Sequence, residues 1–110
     1  MRLSRSEQQA LSQALEGVPG PVYLFGSRLH DDRRGGDIDV IVMAPGQPPQ
    51  ERFTLSIRIA ARFRSQCDEK IDVHVLDPTA LSRTERALFA TVDMQPLVTE
   101  DLAGTSAIDR

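Results

Sequence analysis

Apolar residues along the chain come in short runs broken by proline, glycine and polar clusters, the pattern of alternating helices and strands. Ser4 or Ser6 can cap a first helix running to Leu15, with Leu3, Leu11, Ala14 and Leu15 along one side, before Gly17, Pro19, Gly20 and Pro21 stop it. Val22 to Phe25 reads as a buried strand, and Gly26-Ser27 turns the chain into a short polar helix. From Asp37 to Met43 the residues alternate as in a strand. Asp37, Asp39, Ile41 and Met43 share one face, and Ile38, Val40 and Val42 the other. A proline-rich loop, Ala44 to Gln50, leads to a helix from about Glu51 to Gln66. At helical period Phe53, Ile57, Ile59, Ala60, Ala61 and Phe63 form a broad apolar arc opposite Thr54, Arg58, Arg62 and Ser65.

Lys70 to Leu76 alternates again, with Ile71, Val73 and Val75 on one face and Asp72, His74 and Leu76 on the other. A last helix over 81–92 and a short strand over 95–98 follow, and residues 99–110 read as a polar, flexible tail. The order predicts one α/β domain over residues 1–98. Its core is a small mixed β-sheet of three to four strands, with helices packed mainly on one face and the chemistry at one sheet edge.

Length and composition sharpen this picture in three ways. A chain of 110 residues has room for one core, and with no Trp that core must be built mainly from Ile, Val, Leu and Ala. A net charge of −3 speaks against direct nucleic-acid binding. No apolar stretch is long enough for a membrane span, and the lone Cys67 fits a reducing, cytoplasmic setting with no disulfide.

The candidate chemistry sits in Gly26-Ser27, then nine residues, then Asp37-Ile38-Asp39, with Asp72 on a later strand. Alternation aims Asp37 and Asp39 at the same side, where their mutual repulsion calls for a cation. Oxygen donors with room for water and phosphate suit Mg²⁺ or Mn²⁺, bound together with a nucleotide. The glycine turn offers close backbone approach and free N–H groups to an anion, and the Ser27 hydroxyl adds a donor. Asp72 is placed to share the metal and to accept the proton of an attacking hydroxyl. Of Arg28, Arg33 and Arg34, otherwise a solvated face, Arg28 follows Ser27 directly and is the one suited to touch phosphate. His74 reads as a sheet-face residue and His30 as a loop residue.

Two other enzyme classes use similar letters. A haloacid-dehalogenase-like phosphatase needs its hydrophobic strand before the first Asp, whereas here Arg33-Arg34-Gly35-Gly36 precedes Asp37. A metal nuclease using Asp39 with Asp68-Glu69-Lys70 would leave the Gly-Ser turn without a purpose.

The run Leu24-Phe25-Gly26-Ser27-Arg28 followed by Gly35-Gly36-Asp37-Ile38-Asp39-Val40 resembles the nucleotidyltransferases of the DNA polymerase β-like superfamily, and among them the minimal nucleotidyltransferases. The likeness covers Val22 to Asp77, with a spacer of nine where the family has about ten. It implies that Gly26 and Ser27 bind the nucleoside triphosphate, with Arg28 added to them by its place after Ser27, and that Asp37, Asp39 and Asp72 form the catalytic, metal-binding triad. It further implies transfer of AMP, or another nucleoside monophosphate, from ATP or another triphosphate to a protein hydroxyl. The 33 residues after Asp77 are too few for an acceptor domain, so a partner must bring the acceptor. In this branch that partner is often a HEPN RNase toxin, silenced in a hetero-oligomer by its antitoxin. The alternative is a non-catalytic antitoxin that acts by binding alone and keeps a regulatory or vestigial nucleotide site.

Overall fold

The computed structural model describes residues 3–29 and 36–97. The first helix, α1 (Arg5–Ala14), starts at Ser4, whose hydroxyl accepts from the Glu7 backbone N–H while the Glu7 carboxylate accepts from the Ser4 N–H. This reciprocal cap satisfies two of the free N–H groups at the helix start. The chain then forms β1 (Val22–Phe25), a single 3₁₀ turn (Gly26–Leu29), β2 (Ile38–Met43), α2 (Pro49–Arg64), β3 (Ile71–Leu76), α3 (Arg83–Thr91) and β4 (Met94–Leu97). A second reciprocal cap, Ser82 with Glu85, opens α3. Proline at the first position of α2 starts that helix two residues ahead of the expected Glu51, its fixed φ being suited to a helix entry.

The four strands make one open mixed sheet in the order β3-β2-β1-β4. β1 lies antiparallel to both β2 and β4, and β2 runs parallel to β3 through the α2 crossover, the connection parallel strands require. Asp77 ends β3 by accepting from the backbone N–H and hydroxyl of Thr79.

The core lies between the sheet and the first two helices. Ala10, Leu11 and Ala14 of α1 and Leu55, Ile59 and Phe63 of α2 pack with Val22, Leu24, Ile38, Val40, Val42, Ile71 and Val75. The α/β class and the mixed sheet agree with the sequence, and α3 buries none of its residues. The expected apolar arc of α2 needs correction. Phe53 and Ile57 are 67% and 53% exposed, and the buried line is Leu55, Ile59 and Phe63 at helical spacing. The arc is wider than one helix can press onto a sheet, so only one edge of it is covered, together with Leu55, which lay outside it.

Among the described residues no helix is long and apolar enough to cross a membrane. The tail over 99–110, Val98, His30, Arg33, Arg34 and Gly35 fall outside the described residues, as does the Ser27 side chain.

Candidate active site

Strand pairing sets Phe25 opposite Asp39 and Asp39 opposite Asp72, making one row across β1, β2 and β3. Directly paired residues share a face, and the neighbours Ile38 and Val40 are buried in the helix-covered core, so this row points to the other face. One step further in lies a parallel row of Tyr23, Ile41 and His74. The site therefore spans the edge strand β3 and its inner neighbour β2, on the sheet face turned away from α1 and α2.

The electrostatics follow from that register. Partial burial raises the Asp39 carboxyl above the ordinary carboxylate range, the charges of Asp72 and Asp37 raise it further, and His74 offsets part of the effect. A hydrogen bond between the Asp39 and Asp72 carboxyls acts in the same direction, since such a bond needs a proton between the two oxygens. Asp37, exposed at the entrance of β2, is thus within the field of the pair.

Gly26 closes the site from β1. Its φ of +81° is strained for any residue with a side chain, and a Cβ built on it would stand 2.5 Å from the Asp39 Oδ2. The glycine turn and the acids are thereby one construction, with the backbone of residue 26 laid directly against the carboxylate.

Arg28 is placed otherwise than its neighbour Ser27 suggested. It is 4% exposed, its Nη1 donates to the Glu7 Oε1 at 2.8 Å, and its Nε donates to the Gly36 carbonyl at 3.1 Å. Burial alone would raise the Glu7 carboxyl, but the Arg28 guanidinium and the hydrogen bond from Ser4 outweigh it and leave Glu7 below its ordinary value. Glu7 is the residue sequence reasoning missed here; its cap was legible as Ser4-x-x-Glu7, its ion pair was not. Also unforeseen, the rings of Phe25 and His74 meet from the strands flanking β2, with centroids 5.6 Å apart and planes tilted by 54°. Ile41, between those strands, is fully buried.

Among the described residues no three His, Cys, Asp or Glu side chains are gathered into a ready cage for a metal ion. Mg²⁺ does not need one, because it binds through one or two carboxylates and completes its shell with water and substrate phosphates. Asp39 and Asp72 could supply two such carboxylates on one face, and the burial and neighbouring acidic charges that raise the Asp39 carboxyl are a strain that a cation there would relieve. Compared with protein families and with curated proteins, the sequence finds no match.

Proposed function

We propose that this protein is a metal-dependent nucleotidyltransferase that moves AMP, or another nucleoside monophosphate, from a nucleoside triphosphate to a protein hydroxyl, the new oxygen–α-phosphorus bond replacing the bond to the β-phosphate and pyrophosphate leaving. The observation that carries the reading is the in-register pair Asp39 and Asp72 on one open sheet face, with the Gly26 turn laid against it. Asp37, Asp39 and Asp72 would hold Mg²⁺ or Mn²⁺, which when bound stabilises charge developing on the phosphoryl oxygens. The Gly26 backbone lies against the Asp39 carboxylate, and the Gly26-Ser27 turn suits the triphosphate. Asp72, on the edge strand, is exposed and open to an incoming hydroxyl, whose proton it can accept.

An acceptor must be held in line with the α-phosphorus, and such positioning supplies roughly 7 kcal/mol or more of barrier reduction. In this reading the acceptor hydroxyl is presented by a second protein, and a HEPN RNase toxin neutralised by its antitoxin fits the sequence resemblance. The test is mass spectrometry of that toxin after incubation with this protein, Mg²⁺ and each triphosphate. The expected result is one added nucleoside monophosphate per transfer, lost with Asp37→Asn. A toxin silenced equally by the Asp37→Asn protein, with no change of mass, would establish neutralisation by binding alone.

A further inference from the structure

We propose that Arg28 is a positioning residue that sets the backbone at Asp37 through the Gly36 carbonyl, and that it does not ligate the triphosphate. This rests on the reading of Asp37 as a metal ligand. The carbonyl that Arg28 holds belongs to the peptide bond joining Gly36 to Asp37. A peptide unit is planar, so fixing its oxygen fixes the direction in which Asp37 enters the strand. One residue on, the Ile38 N–H donates to the Lys70 carbonyl at 3.0 Å. Asp37 is thereby held between two backbone anchors, one supplied by Arg28 and one by the entrance of β3.

The rest of the guanidinium is committed elsewhere in the fold. Nη1 meets Glu7 of α1 at 2.8 Å, and Nη2 lies 3.7 Å from the Glu69 carboxylate, three residues before Asp72. One planar fork thus ties α1, the approach to Asp37 and the approach to Asp72 to the turn that carries Gly26 and Ser27. Turning Arg28 toward a phosphate would leave the Glu7 carboxylate buried without its cation, a costly arrangement. Gly36 adopts a φ of +89°, one of several conformations open to glycine, so that the hold on its carbonyl restricts a hinge beside the exposed Asp37.

Arg28→Lys separates the alternatives, because an ammonium can stay beside Glu7 but cannot reproduce the fork that also reaches Gly36. In hydrogen exchange on the ligand-free protein, the Ile38 amide should lose protection about tenfold while Val40 and Val42 keep theirs. In the transfer assay the Mg²⁺ concentration for half-maximal rate should rise about tenfold or more, the range found when support of a metal ligand is removed, with the KM for triphosphate moving less. The double variant Glu7→Gln/Arg28→Gln removes both buried charges together and should show the same two changes if Arg28→Lys does not fold. Unchanged Ile38 protection in the folded variant would overturn the proposal. So would a rise in triphosphate KM at unchanged Mg²⁺ dependence, the signature of a phosphate ligand. If the unsubstituted protein transfers no nucleotide, the proposed function fails and the role assigned to Arg28 at a metal ligand fails with it. The exchange experiment still reports separately whether the Gly36 hold exists.

Discussion

Asp39 and Asp72 stand at the same register position of two parallel strands, so that the half-buried Asp39 carboxyl ionises against the charge of Asp72. A fold rarely keeps such a pair on a face it could have covered with apolar side chains, and the strain has a measurable sign. The Asp39 pKa is raised above its ordinary 3.8, so the folded chain binds this proton more tightly than the unfolded chain. Its ionisation therefore subtracts stability at neutral pH, and the penalty disappears as the pH falls back toward 3.8.

Asp39→Asn should accordingly raise the melting temperature of the metal-free protein while lowering nucleotide transfer by two or more orders of magnitude. Because the pair is half in water, a gain of ~0.5 kcal/mol is expected, roughly 2–4 °C for a domain of this size. Calorimetry from pH 4 to pH 8 should show the advantage of the Asn variant growing with pH. A variant less stable than the parent at pH 8 would contradict the assigned repulsion.

Gly26 and Gly46 make an internal comparison for the turn. Both have positive φ, +81° and +77°, but a Cβ on Gly46 meets nothing within 4 Å whereas one on Gly26 runs into Asp39. Alanine at either position should cost ~1–2 kcal/mol from the backbone alone. Only Gly26→Ala should also displace the carboxylate and abolish the stabilisation by Mg²⁺ with triphosphate, which reaches about 2.7 kcal/mol at a hundredfold ligand excess over Kd. Thermal shifts of the two variants with and without ligand decide the matter; equal responses would detach Gly26 from the site.

The buried line of α2 is tested by its phenylalanines. Phe63 is fully buried and Phe53 is 67% exposed, although both lie in the same apolar arc of the sequence. Phe63→Ala should cost ~3–5 kcal/mol by opening a cavity, and Phe53→Ala no more than about 0.5 kcal/mol in urea unfolding. Comparable losses would restore the broad arc as the packed face.

What the sequence could and could not reveal divides along the range of the interactions. The alternation from Ile38 to Met43 and from Ile71 to Leu76 placed Asp39 and Asp72 on definite faces, because face is a local property of a strand. That the two acids are register partners depends on how β3 slides along β2, and no residue near either one encodes it. Gly26 was legible as a turn, but its contact with Asp39 comes from β1 pairing with β2. Arg28 shows the limit most clearly. Its neighbours suggested phosphate, and its strongest partner, Glu7, lies 21 residues earlier on another element. On α2, periodicity found an apolar arc broader than the packed line and without Leu55, and only the position of the sheet chose Leu55, Ile59 and Phe63.

Glu7 gives a pH dependence opposite in sign to that of Asp39. Its pKa is lowered from the ordinary 4.5, with burial opposing and Arg28 and the Ser4 hydrogen bonds prevailing. The unfolded chain therefore takes up this proton first. The stabilisation from the ionised form is fully present above 4.5 and is lost as the pH falls through the lowered folded value. Glu7→Gln keeps an oxygen that can accept from Arg28 and Ser4 but removes the charge, leaving the buried guanidinium without its nearest counter-ion. At pH 7 this should destabilise the protein by ~3 kcal/mol, the scale of breaking a buried pair from one side. The deficit relative to the parent should then shrink below pH 4, as the parent carboxylate is itself protonated. Denaturant midpoints measured at pH 7 and pH 3 check both statements, and a deficit that stays constant with pH would show that the charge of Glu7 contributes nothing to holding Arg28.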